Sequence, residues 1–482
     1  MILGARRTTC ALLLATTAVA ACGSPRQSDT PRKPRAAPPP ASSPAAVAPT
    51  PSASASEAAV PEPPRSGSIV DKVAFPEPSI TAGRIAIDAK GNRFVTGTFV
   101  GTATFGNLDP LVSRGQDVFL LKLDPSNKPL WAKRIGGDEN DLALDVAVDD
   151  GGEVYLSVGF ESPRIDLGTG PLKNAGMHDL LLAKFSTEGT TLWAKRYGDA
   201  NDQLAMRLHP FPGGGVVATG WFNGAIDFGA GALSSPWLKA FYVTRIDAGG
   251  KGKWSKAFGH RIDFAETDSA VDDQGNVVVS GGSDGSPDFV RGGFPAADND
   301  LGPVIVKLDG AGKTLSAHRF GNGADNLTTA IATDRTDGVR IACASHGVTS
   351  FDGDARKPQN GYASLVIASF DPSGAPMWKK EVFVSRVASV TAGAIDAEGN
   401  YYVSGMFDED DPARGTRQDG YVVKMTKAGH VDWTLKIAEG TSAWLSGIAL
   451  DPAGRPVAVG TVSGSPAGNG ANTELWVAPI VP

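Results

Sequence analysis

The sequence predicts an all-β chain, a seven-bladed β-propeller built from four-stranded antiparallel blades. Three observations carry that prediction. One pattern of roughly sixty residues recurs seven times between about Ser68 and Pro482. Each copy holds four short apolar runs separated by turn signals, the pattern of a small antiparallel sheet. The last copy stops one run short, and a matching run stands ahead of the first copy.

Residues 1–22 precede the repeats and read as a processed leader. Arg6 and Arg7 form a basic start, and Ala11–Ala21 is apolar but too short for a permanent span. The stretch ends in Val19-Ala20-Ala21-Cys22-Gly23, which resembles a bacterial lipobox, and that resemblance implies acylation of Cys22. Residues 23–66 are rich in Pro, Ala and Ser, as in Ala36-Ala37-Pro38-Pro39-Pro40. Such a composition buries too little apolar surface to offset chain entropy, so a disordered tether is expected. Residues 67–482 are expected to form the propeller.

Within a repeat the turns order the strands. Asp88-Ala89-Lys90-Gly91-Asn92, Asp272-Asp273-Gln274-Gly275-Asn276 and Asp396-Ala397-Glu398-Gly399-Asn400 read as tight hairpins, with Gly at positive φ and Asp capping the turn. The run before each Asp carries Ala two places earlier (Ala86, Ala147, Ala270, Ala332, Ala394, Ala449), which suits a strand crowded near a central axis; it is taken as strand A. Strand B follows, as in Asn276 to Gly281. Strand C is a D-x-F-x-x-K type of run, as in Asp117 to Lys122 and Asp179 to Lys184. Strand D holds Trp131, Trp193, Trp254, Trp378 or Trp433, read as packing between blades. The final copy lacks a D strand, and Ile69–Phe75 is the candidate to supply it, closing the ring and removing an open edge.

This pattern resembles the bacterial beta-propeller repeats of the SBBP type, whose units run D-x-F-x-x-K-x-D-x-x-G-x-x-x-W, then G-G-x-x-x-D and a D-x-x-G-N-x-Y-V-x-G hairpin. The best-matching copies are Asp117 through Gly159 and Asp179 through Gly220, and the likeness extends over residues 68–482. It implies the propeller fold and an extracytoplasmic setting. Two places depart from it. In the third A strand Arg207-Leu208-His209-Pro210 replaces the apolar-Ala-apolar-Asp pattern, and Leu315-Ser316-Ala317-His318 lacks the Trp. A fainter similarity to quinoprotein-type propellers rests on Gly-x-x-x-Trp alone.

Functional signals are sparse. The chain has a formal net charge of −7, which argues against nucleic acid as a partner. Of three cysteines only Cys343 lies in the repeats, in an apolar run, so neither a disulfide framework nor a cysteine metal site is expected. The long B–C connections, with Phe-x-Gly-x-x-x-Phe-Gly pieces at Phe99 to Gly106 and Phe222 to Gly229, mark one candidate binding face. The D–A connections on that face carry Asp141, Asp202, Asp263 and Asp325, which would meet a cation or cationic ligand if they converged at an axial mouth. Arg207 and His209 are the other candidates for that mouth. No catalytic residue, cofactor or metal site is assigned.

The expectation is therefore a lipid-anchored, monomeric envelope protein, at the outer membrane, whose propeller binds or displays protein or glycan partners and is not an enzyme. The alternative is a lyase or hydrolase that uses the axial mouth and the acidic loops.

Overall fold

A computed structural model of the chain describes residues 65–482 except 259–267, 284–301, 320–325, 335–337, 346–363, 385, 412–414, 441 and 465–472. The expected leader, Cys22 and most of the expected tether thus lie outside the described residues, as do Asp263 and Asp325.

The repeats fold into seven four-stranded antiparallel sheets, each running A-B-C-D from the centre outward. Strands A are Ile80–Ile87, Asp141–Val148, Gln203–Pro210, Asp268–Val271, Asn326–Thr333, Arg386–Ile395 and Ser442–Leu450. Each touches the next, and the seventh touches the first, so they line a closed ring. Closure follows the expected route. Val73–Glu77 pairs antiparallel with Thr473–Val481, Val73 opposite Val477, as the outer strand of the seventh blade. Ser68–Ile69 extends the pairing to Val481 after a one-residue shift taken up around Asp71, whose φ is +46°. Arg65–Ser66 then joins the sixth blade in parallel beside Trp433.

Each letter of the repeat has a physical task. The Asp that opens strand C is fully buried and holds an arginine: Arg134 Nε lies 2.5 Å from Asp117, and Arg196 Nη1 lies 2.7 Å from Asp179. The Lys that ends strand C lies over the first aromatic of strand B, Lys122 over Phe94 at 5.2 Å and Lys184 over Tyr155 at 4.9 Å. The D-strand Trp reaches the next blade's C–D turn, where its indole N–H donates to a backbone carbonyl: Trp131 to Thr187 (3.2 Å), Trp193 to Ala248 (2.9 Å), Trp254 to Gly310 (3.0 Å) and Trp378 to Lys427 (3.2 Å). Those turns place Gly at positive φ under the ring; a Cβ on Gly250 would stand 3.1 Å from Trp193.

The two exceptions have local reasons. Where the fourth blade lacks Trp, His318 Nε2 comes within 2.9 Å of Ser373 O in the equivalent turn. Trp433 precedes the closing blade, whose C and D strands come from opposite ends of the chain and share no turn. Its indole nitrogen is buried without a partner, and the Arg65–Ser66 strand packs there instead.

The long B–C connections are continuations of the blades. Strands Arg93–Ala103 and Leu111–Leu123 pair beyond the blade as far as Ala103 opposite Leu111, and Val216–Asp227 with Ala232–Ile246 behaves likewise. Their second phenylalanines are buried. Phe105 lies 5.3 Å from Phe75 and 5.1 Å from Phe119, and Phe228 lies 4.9 Å from Tyr197 and 5.0 Å from Tyr242. The recurrent Phe-Gly pieces thus cover the blades' hydrophobic clusters.

Candidate functional site

A cavity of about 240 Å³ lies on the axis. Its polar lining is Arg84, Asp145, Arg207, His209 and Asp268, and the rest is largely apolar. The lining runs from these residues along strands A toward the A–B turns, the end opposite the long B–C connections.

The register explains why these groups meet. Counting back from the A–B turn, Arg84, Asp145, Arg207 and Asp268 occupy one repeat position in blades one to four, and Ala330, Ala392 and Gly447 occupy it in blades five to seven. The channel therefore has a charged side of alternating sign and a side of small residues. Just before this position strand A carries a β-bulge in every blade except the fourth, whose described strand begins at Asp268. A bulge leaves one residue outside the ladder. At Thr391 and Ser446 the freed carbonyls accept from Arg84 Nη1, at 2.6 and 2.8 Å, across the space that Ala392 and Gly447 leave open.

The carboxylates tie neighbouring blades. Asp145 Oδ1 accepts from Val146 N (2.9 Å) and Oδ2 from Leu208 N in the next blade (2.7 Å). Asp268 repeats this with Ser269 N and Ile331 N (both 2.9 Å), and Arg207 Nε lies 2.7 Å from Asp268 Oδ1. Burial raises the Asp145 carboxyl above its ordinary value, against the pull of Arg207 and Arg84. Burial lowers the Arg84 guanidinium to about 10.

The Ala layer is also resolved by register. Ala86 and Ala147 pack in the hydrophobic clusters shared with the following blade. The small side chain sets how closely neighbouring inner strands stand, so crowding comes from the next blade rather than from the axis itself. His209 takes this position in the third blade. Burial lowers its pKa, and its Nε2 is shut off from the cavity and without a hydrogen-bond partner. As placed, the imidazole cannot exchange a proton with a ligand through that nitrogen.

Arg207 and His209 thus stand at the axis, while of the acidic groups expected beside them the two that are described, Asp141 and Asp202, do not line the cavity. Asp141 is buried at the start of its strand, accepting from Gly137 N (2.9 Å) and Ser162 Oγ (2.8 Å), and burial pushes its carboxyl up to about 6. Asp202 faces His178 Nδ1 at 2.9 Å, and His178 Nε2 meets Glu161 at 3.1 Å. The hydrogen bond with Asp202 holds His178 above its usual value and Asp202 below the usual carboxylate range. A second cavity, of about 200 Å³, is lined by Asp272, Asp273, Asp334 and Asp396 at the A–B turns. Asp272 and Asp396 cap their own turns, Oδ1 accepting from Asn276 N (2.7 Å) and Asn400 N (2.8 Å). Among the described residues no group of three or more His, Cys, Asp or Glu is placed to hold a metal ion.

Reasoning from the sequence missed Arg84, Asp145 and Asp268. The signal was present: each stands two residues before the Ala of its copy, where later copies carry Ala or Gly.

No family model matches the chain. A WD repeat-containing protein of Acanthamoeba polyphaga mimivirus is 25% identical over 158 residues, 29% of this chain and 11% of that protein's length. Solved structures of similar fold include a calcium-binding regucalcin from Agrobacterium tumefaciens (10% identity, 70% of this chain and 90% of that one, TM-score 0.34). They also include a gluconolactonase from Xanthomonas campestris (14% identity, 69% and 91%, TM-score 0.31). At these values the likeness concerns the fold alone. An enzyme stands among these matches, so the expectation that this chain is not an enzyme is corrected: its architecture gives no ground for that exclusion. It is the chain's own seven sheets and their closed ring of inner strands that make it a repeat-built β-propeller.

Proposed function

We propose that this chain is an envelope lipoprotein of the SBBP type, anchored through Cys22, whose propeller binds a small ligand in the axial cavity. The observation that carries the ligand site is the break in sevenfold equivalence at the axis. A purely structural layer could repeat one residue type around the ring, as the Ala layer nearly does. Here four blades supply charge and three supply space beside a cavity. The lipobox-like Val19 to Gly23 and the tether composition support the anchoring.

The test is a thermal-shift screen of small polar compounds against the purified full chain, with Ala392→Leu as a cavity-filling comparison. A ligand that binds only the native state raises the midpoint in a saturable way, by about 2.7 kcal/mol of stability at a hundredfold excess over Kd. That rise is expected in the wild type and should be lost in Ala392→Leu. Equal shifts in both proteins would move the site away from the axis. For the anchor, labelled palmitate should enter the wild type and not Cys22→Ala.

A further inference from the structure

We infer that Arg84 makes the axial cavity a site for a small ligand bearing a single carboxylate. This inference rests on the cavity being the ligand site and names what it takes. The Arg84 guanidinium is held by one corner only, Nη1 donating to Thr391 O and Ser446 O. Its Nε and Nη2 have no partner among the described residues and are not among the buried polar atoms left unsatisfied. Those two N–H groups form the edge of a guanidinium that grips a carboxylate through two parallel bonds. No carboxylate of the described residues stands within 4.0 Å of Arg84, whereas Arg207 already has Asp268 at 2.7 Å. Among the described residues the axis therefore offers one cation without an ion-pair partner, its recognition edge free.

The surroundings limit the partner's charge and size. Asp145 and Asp268 flank the site, each with both oxygens occupied by backbone N–H groups. Their negative charge disfavours a dianion beside the single free guanidinium edge, so one negative charge is the matching number. Ile85, Ile87, Val148, Leu208 and Ile448 supply an apolar wall for the ligand's carbon part. The volume of about 240 Å³ falls below the usual range of roughly 300–1,000 Å³ for pockets that take drug-sized molecules.

The experiment titrates the full chain, by calorimetry and thermal shift, with propionate and lactate, with neutral propionamide, with propylamine, and with malonate and inorganic phosphate. Saturable binding of propionate or lactate is expected, with propionamide and propylamine weaker by at least tenfold and the dianions weaker still. Arg84→Gln should abolish the response. Arg84→Lys, which keeps the charge but loses the two-toothed edge, should weaken it at least tenfold. Ala392→Leu leaves Arg84 in place and should also abolish binding, which covers the case in which Arg84→Gln does not fold. Propionamide or propylamine binding as well as propionate would overturn the carboxylate assignment and leave the cavity as the ligand site. Phosphate or malonate binding more tightly would overturn the single charge. No response to any compound would overturn both, and a response unchanged in Ala392→Leu would do the same.

Discussion

Two histidines of the second and third blades, His178 at the rim and His209 at the axis, meet opposite surroundings. His178 sits between Glu161 and Asp202, partly exposed, and the hydrogen bond with Asp202 raises its pKa above the ordinary value. The Nε2 of His209 is buried without a partner, and burial lowers its pKa although Asp145 and Asp268 lie near. At the rim a carboxylate is free to answer a histidine. At the axis the carboxylates are already committed to backbone N–H groups and to Arg207, so burial prevails over charge. Proximity of opposite charge is therefore a poor guide to pairing in this protein; what matters is which lone pairs the backbone has already taken.

The largest effect expected from breaking that contrast is at the axis. Asp268→Ala strips the partner from Arg207 and uncaps two buried N–H groups, and should cost about 3–5 kcal/mol, read by denaturant unfolding of the full chain. Asp202→Ala at the rim should cost only about 1 kcal/mol, because water can solvate His178 in its place. Equal losses at the two sites would sink the distinction between them.

The pH dependence sharpens the same contrast. The His178 contribution is fully present below about 6.5, the ordinary histidine value, and is lost as pH rises through its raised folded value. The His209 contribution runs the other way, present above about 6.5 and lost as pH falls. Melting temperatures of the wild type, His178→Gln and His209→Ala between pH 5 and 8 should show the first variant flattened on the alkaline side and the second on the acid side. Both variants flattening on one side would contradict the assignment.

The smallest effect expected is between blades. Trp193→Phe keeps one aromatic ring at a partly exposed site and removes the indole donor to Ala248 O, a loss of about 0.5–1.5 kcal/mol. Trp433→Phe has no hydrogen bond to lose, but that indole is only 1% exposed, so the cavity left behind should make it cost at least as much. A larger loss for Trp193→Phe would show that the hydrogen bond between blades, rather than burial of the ring, carries the energy.

Most of the fold was legible in the repeat. The Asp-x-x-Gly turns gave the hairpins because Gly91, Gly275 and Gly399 do sit at positive φ, and the count of A, B and C runs gave the blades. The closing strand was legible as an unmatched run at each end. The functional side was harder to read. Arg207 and His209 stood out because they broke a pattern, and both are at the axis. Asp141 and Asp202 were chosen for charge and for position in a loop, and each proved to be engaged locally, one with Ser162 and Gly137, the other with His178. Arg84, Asp145 and Asp268 passed unnoticed because one charged residue in a short strand looks ordinary until the copies are stacked at equal register.

By itself the sequence determined the number of blades, the order of strands within each and the route of closure, since those depend on local periodicity and turn chemistry repeated seven times. Only the tertiary structure decided which residues from different copies share one level of the axis, that bulges free the Thr391 and Ser446 carbonyls for Arg84, and that one edge of Arg84 remains without a partner. The physical reason is that a bulge shifts register by a single residue, a change too small to leave a mark on the hydrophobic pattern, yet it decides where every inward-reaching group ends.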